Sequence, residues 1–239
     1  MKNNKRLIFK IDNLEKVKNN NNILNVRKLE IHPGTIYGIV GPVGSGKTTL
    51  LNLLSGFEAS SKGLLLYDNN EFNKTWFGRI ITPNEIFYNN LDEFSRSKIK
   101  VSSYIKNMHS KKINIIKNRQ FDGSHSKLLW NRVISSLTKG EKNWLTLVLA
   151  IESDPRVLLV DDYGTYLDTK SELNFRSQLK KMNRNLGTTM LLTSVNDIFL
   201  KKFCSVVIYL DNGYVSKIRS NSYSKNKTFP KKRKTSFKS

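Results

Sequence analysis

The chain has 239 residues, of which 41 are Lys or Arg and 19 are Asp or Glu; the formal net charge of +22 suits an anionic partner such as nucleic acid, an acidic membrane surface or a polyphosphate ligand. Lys and Asn are abundant throughout, as in Asn19 to Asn22, so biased base composition in the source genome accounts for the charge equally well. The length supports one good core, read as one domain with a subdomain, and the lone Cys204 excludes an internal disulfide and a cysteine-based zinc site, as suits a reducing compartment.

In chain order, Met1 to Arg6 is followed by an apolar run, Leu7-Ile8-Phe9, too short for a signal peptide. No later run approaches about 18 apolar residues, so the chain is expected to be soluble or held at a membrane through a partner. Residues 7–11 and 23–31 read as strands with Asn19 to Asn22 between them, and His32-Pro33-Gly34 closes the second. Thr35 to Val40 reads as a buried strand. Next, Gly41-Pro42-Val43-Gly44-Ser45-Gly46-Lys47-Thr48-Thr49 fits G-x-x-x-x-G-K-[ST], and Leu50, Leu51, Leu53 and Leu54 give the apolar side of a helix. Glycines let this loop turn so that successive backbone N–H groups face a di- or triphosphate at the positive end of the helix. Lys47 is then placed to reach the β- and γ-phosphates, and Thr48 to ligate Mg²⁺.

Ser55-Gly56 reads as a helix stop, Leu64 to Tyr67 as a strand, Asp68 to Asn73 as a loop, and Arg79 to Thr82 as a short strand ended by Pro83. Residues 85–135 carry no strong strand signal and read as a mostly helical insert. Leu145, Leu147, Val148, Leu149 and Ile151 mark a buried helix stopping near Asp154-Pro155. Val157-Leu158-Leu159-Val160-Asp161-Asp162 has the pattern of a central parallel strand whose C-terminal edge carries chemistry. Ser171 to Asn185 reads as an amphipathic helix ended by Gly187, Thr189 to Thr193 as a buried strand, and Val206 to Val215 as a hairpin turning at Asn212-Gly213. Residues 221–239, with Lys231-Lys232-Arg233-Lys234, read as a disordered basic tail.

This order of parts resembles the nucleotide-binding domain of the ATP-binding cassette (ABC) family over about residues 7 to 218. The phosphate loop matches first. Leu137-Thr138-Lys139-Gly140-Glu141 stands where that family has its signature Leu-Ser-Gly-Gly-Gln, or the Ser-Lys-Gly variant of many exporter-type members. Asp161 stands at the Walker B aspartate, and Tyr166-Leu167-Asp168 at the D-loop. The resemblance implies an α/β P-loop NTPase core with a mostly parallel sheet, an N-terminal antiparallel β subdomain and a helical subdomain at about 85–150, all within residues 1–220. It also implies two such domains, like or unlike, sandwiching two ATP molecules with Mg²⁺. Each ATP meets the phosphate loop of one chain and Thr138 and Gly140 of the other, and closure drives separate membrane-spanning subunits from the cytoplasmic face of the membrane. Thr48 and Asp161 are the implied metal contacts.

Departures from the family pattern fall on the hydrolytic parts. Asp162 stands where the family has its general base, Glu, and is one methylene shorter; Ser194 stands at the switch His; Asn84 stands at the Q-loop Gln. All three histidines, His32, His109 and His125, lie elsewhere. No aromatic occurs between Phe9 and Tyr37, where the adenine-stacking residue belongs near Val17 or Lys18, and Tyr163-Gly164 replaces the family's Pro-Thr. Three readings follow: an exporter-like ATP-binding subunit that hydrolyses slowly, a partner subunit that binds ATP without hydrolysis, and a nucleotide-dependent clamp on nucleic acid reaching it through the basic tail. They rank in that order, because the chain has one phosphate loop and no sustained heptads.

Overall fold

The computed structural model describes residues 6–89 and 96–221. The hydrophobic runs assemble into one nine-stranded sheet in the order β4-β1-β2-β9-β8-β3-β7-β6-β5. Its strands are β1 (Phe9–Lys18), β2 (Asn21–Ile31), β3 (Ile36–Val40), β4 (Lys62–Tyr67), β5 (Ile86–Asn89), β6 (Val157–Val160), β7 (Thr189–Ser194), β8 (Val206–Asp211) and β9 (Tyr214–Ser220). The helices are α1 (Lys47–Ser55), α2 (Val101–His109), α3 (Ile113–Gln120), α4 (Ser124–Leu129), α5 (Lys139–Glu152) and α6 (Thr169–Leu186). No helix among the described residues is long and apolar enough to cross a membrane.

Strands β8, β3, β7, β6 and β5 run parallel, and the central three, β3, β7 and β6, are buried along their whole length, as parallel strands covered on both faces require. The register Val40↔Ser194 and Val160↔Leu192 brings the C-terminal ends of β3, β7 and β6 to one edge. Leu50, Leu51, Leu53 and Leu54 of α1 pack into the core on one face with Ile39, Leu159 and Leu191. Leu145, Val148 and Leu149 of α5 and Phe175 and Leu179 of α6 pack with Leu158, Val160 and Leu192 on the other. Beyond β8 the pairings are antiparallel, β8 to β9 and β1 to both β2 and β4, except for a single parallel contact of β2 with β9. In the helical segment Trp130 and Trp144 meet Phe121 edge-on at 4.9 and 5.1 Å, and Phe121 joins the core on the second face of the sheet.

Several expected elements take a different form. The first strand runs to Lys18 instead of stopping at residue 11, and turns at Asn19-Asn20, both with positive φ. The bend this needs is made at Asn13, where Gly63 of β4 crosses so closely that a Cβ on Gly63 would lie 2.0 Å from Asn13 O. Residues 79–82 form no strand. Thr75 to Arg79 folds back on itself, leaving one bridge between Lys74 and Ile80, and Trp76 and Phe77 stand 96% and 94% exposed at its tip. The helical reading of 85–135 fails at its start, because Ile86 to Asn89 pairs with β6 as the short edge strand β5. The tail is tethered at Asn221, which donates to Ser205 O and Cys204 O; the rest of it, Lys231 to Lys234 included, lies outside the described residues.

Asn143 is fully buried in α5, and neither of its amide atoms has a hydrogen-bond partner. Such groups keep their desolvation cost with nothing to offset it. Asn143→Leu, with the same branching and number of side-chain heavy atoms, is expected to raise the unfolding free energy by about 1–2 kcal/mol, read as a higher urea midpoint at unchanged m-value.

Candidate functional site

The phosphate loop closes between the end of β3 and the start of α1. Gly41 leaves β3 so close to β8 that a Cβ there would lie 2.2 Å from Leu210 O and 2.6 Å from Ser45 Oγ, so only glycine fits. Pro42, Val43 and Gly44 form the exposed tip, Ser45 and Thr49 are buried, and Gly46, at φ 95°, caps α1 in the left-handed region. The helix therefore starts with unpaired N–H groups facing the loop, the arrangement that holds anions. Lys47, only 6% exposed, folds back over the loop and donates to Gly41 O at 2.9 Å, Pro42 O at 2.8 Å and Ser45 Oγ at 3.4 Å. Burial pushes its amine below the usual lysine range, against the charges of Asp162 and Asp161.

The head of β6 supplies the carboxylates. Thr48 donates to Asp161 Oδ2 at 2.6 Å, across 113 residues of sequence. Thr193, at the end of the neighbouring strand, donates to Asp161 Oδ1 at 2.5 Å. Asp162 has φ 50°, and its N–H donates to Thr193 Oγ1 at 2.9 Å. Burial and then the Asp161 charge raise the Asp162 carboxyl above its usual range, with Lys47 opposing. Thr48 and Asp161 are hard oxygen donors set side by side, which fits Mg²⁺ held by one carboxylate and substrate phosphates. No group of three or more His, Cys, Asp or Glu among the described residues offers an all-protein cage. Ser194 is buried beside Val40 at the head of β7, and its carbonyl accepts from Gly41 N–H at 3.3 Å.

Asn84 is not brought to this edge. It is exposed and precedes Ile86, which pairs with Val157 at the opposite end of the sheet. The amide at the phosphate end of β5 is that of Asn89, opposite Val160 and buried with no partner for its side chain. Phe9 is fully buried and offers no ring to a base. Sequence reasoning missed Thr193, whose only local signal is a polar residue closing a buried strand next to Ser194.

Thr138 and Gly140 form a second cluster, at the start of α5. Thr138 Oγ1 accepts from Glu141 N–H at 3.2 Å while Glu141 Oε2 accepts from Thr138 N–H at 2.8 Å, a full capping box. Burial raises the Glu141 carboxyl, but the bonds from Thr138 and the charges of Arg132 and His125 outweigh it and hold it below the usual range. Arg132 Nη1 lies 2.9 Å from Glu141 Oε1. Gly140 and Glu141 line a cavity of about 670 Å³ shared with Tyr166, Asp168 and Lys170, and no phosphate-loop residue borders it. One chain thus presents two surfaces apart from each other: an anion-binding loop with carboxylates, and a capped helix start.

The ABC transporter family model matches residues 24–163. The chain is 26% identical over 232 residues to the spermidine/putrescine import ATP-binding protein PotA of Bacillus anthracis, covering 92% of this chain and 69% of PotA. Among solved structures it resembles a dimeric bacterial ABC transporter cassette with a TM-score of 0.75 at 19% identity, over 89% of this chain and 98% of that one. It also resembles cbiO1 from Clostridium perfringens, part of the complex cbiONQ, with a TM-score of 0.69 at 21% identity, over 90% of this chain and 89% of that one. At these identities the structural likenesses establish the fold.

Gly41→Ala places a methyl group inside Leu210 O and Ser45 Oγ. Calorimetric titration of this variant with a nucleoside triphosphate is expected to show no saturable heat, while its far-ultraviolet circular dichroism stays that of the parent.

Proposed function

The chain belongs to the ABC transporter family and is the ATP-binding subunit of such a transporter, an ABC-type ATPase, and we propose that it holds ATP more readily than it splits it. The observation that carries this reading is the contact of Thr48 with Asp161 at 2.6 Å beside the buried Lys47. Lys47 is bonded to loop carbonyls that a triphosphate would replace as its partners, and the N–H groups at the start of α1 are oriented for the same phosphates. Mg²⁺, bound by Thr48 and Asp161, would neutralise charge on the β- and γ-phosphates.

Subunits of this family work with membrane transporter components and dimerise. The two separate surfaces of this chain fit a sandwich in which Thr138 and Gly140 of one subunit complete the ATP site of another, at the cytoplasmic face of the membrane. The finer assignments are part of the proposal: Gly41 to Thr49 as the phosphate cradle, Asp162 as general base, and Ser194 as the group nearest the γ-phosphate position. So is the division into residues 1–220, with its helical part at about 85–150, and a basic tail. PotA is an import subunit by name, which lends no support to an exporter-like reading. For a nucleic-acid clamp the sequence offers charge alone.

Slow turnover follows from side-chain length. The Asp162 carboxylate hangs one methylene short of where a Glu would present it, and a misplacement of about 1 Å costs roughly a hundredfold in rate. Ser194 has neither the reach nor the charge of an imidazolium. These two positions also favour a second reading, a subunit that closes on ATP while another chain hydrolyses it.

Two measurements separate the readings. Calorimetry with ATP and Mg²⁺ is expected to give saturable binding that Lys47→Ala abolishes; equal binding by that variant overturns the assignment. Steady-state phosphate release above the Lys47→Ala blank supports the first reading, and a rate equal to the blank with binding intact supports the second. Asp162→Glu is expected to raise turnover about tenfold or more, and an unchanged rate assigns the limit to Ser194.

A further inference from the structure

We propose that Thr193 is the positioning residue for both acidic groups of the site, its one hydroxyl fixing the side chain of Asp161 and the backbone of Asp162 together. This rests on the reading of Thr48 and Asp161 as the Mg²⁺ contacts of an ATP site. Thr193 is 0% exposed, and it can serve as anchor because a hydroxyl has one hydrogen to give and lone pairs to receive. The hydrogen goes to Asp161 Oδ1, and a lone pair receives the Asp162 N–H at 2.9 Å. Its carbonyl accepts from Tyr163 N–H at 2.8 Å, so one residue of β7 grips three successive residues leaving β6.

Each bond has a separate effect. With Oδ1 held by Thr193, the Asp161 carboxylate is turned so that Oδ2 faces Thr48 Oγ1. Partners that orient a metal-binding carboxylate typically change metal affinity or activity roughly 10- to 100-fold when removed. The bond to Asp162 N–H holds a non-glycine residue at φ 50°, a conformation that persists only where its surroundings fix it. Without Thr193 Oγ1 that N–H retains only a 3.2 Å bond to Asp161 Oδ1. The carboxylate of Asp162, already short, then also loses its fixed origin.

A merely structural threonine would stabilise the strand end without distinguishing nucleotide states, and this sets the test. A fluorescent ATP analogue is titrated into the full chain and into Thr193→Val and Thr193→Ser, once with Mg²⁺ and once with EDTA, and phosphate release is followed alongside. In EDTA all three are expected to bind alike within about twofold. The tightening that Mg²⁺ gives the parent is expected to fall roughly 10- to 100-fold in Thr193→Val and to return in Thr193→Ser. In Mg²⁺, phosphate release is expected to fall in Thr193→Val and to return towards the parent rate in Thr193→Ser. A Thr193→Val protein that keeps the Mg²⁺ effect overturns the proposal, as does a Thr193→Ser protein as defective as Val. A parent that binds the analogue equally with and without Mg²⁺ overturns the metal reading and this one with it, leaving the phosphate loop standing. If Thr193→Val does not fold, Thr193→Cys, with a weak donor in place of the hydroxyl, is read in its place and is expected to lose part of the Mg²⁺ effect; full retention overturns the proposal.

Discussion

The two oxygens of Asp161 tie β6 to both of the elements it packs against at this edge: Oδ2 takes the hydroxyl of Thr48 from α1, and Oδ1 takes that of Thr193 from β7. For this to happen three parallel strands must end at one level, and the register of β3, β7 and β6 provides it. Parallel strands present their C-terminal ends, and the N-terminus of the following helix, on the same side of the sheet. The amides at the start of α1 and the carboxylates of Asp161 and Asp162 therefore converge without any loop being long. The core on each face of the sheet fixes this level; a slip of one residue in β6 would exchange its buried faces and carry Asp161 out of reach.

The second surface obeys a different electrostatic rule. A helix N-terminus attracts anions through its partial positive charge, but at α5 the capping box places a carboxylate, Glu141, within that first turn. Where the family has Gln, this chain has an anion compensated by Arg132 at 2.9 Å. The start of α5 is thus close to internally neutral, with Lys139 as the adjacent exposed cation. An anion approaching this helix start meets less dipole attraction than at one whose first turn carries no carboxylate.

How much of this was legible in the sequence depended on how local each feature is. The phosphate loop is nine consecutive residues whose glycines and lysine carry their own geometry, and the apolar runs of β3, β6, β7 and α1 need no partner to be read. Thr193 was read only as the end of a buried strand, because its partners are 32 and 31 residues away. β5 is four residues long with Asn at its end, and it becomes a strand only because β6 lies beside it. Residues 12–18 are mostly charged and polar, so their extension of β1 rests on pairing with β2 and not on apolar alternation. The Ile80-Ile81 pair misled for the opposite reason: local apolar character suggested a strand where the chain instead folds back around Thr75 and Arg79. Asn84 matches the Q-loop Gln only in linear order, and the parallel register, a nonlocal property, puts it at the opposite end of β5 from the phosphate loop.

The three tryptophans are unevenly distributed across this architecture. Trp130 and Trp144 flank Phe121 in the helical segment, Trp76 projects from a turn into solvent, and the nucleotide-facing edge of the sheet holds none. Intrinsic fluorescence in this protein is therefore a spectator of the phosphate loop and a reporter of the helices. Trp130 and Trp144 are half-buried while Trp76 is 96% exposed, so an added quencher is expected to reach Trp76 first. A nucleotide-dependent change confined to the less exposed pair would report on the helical segment, including the cavity that Trp144 lines with Gly140 and Glu141.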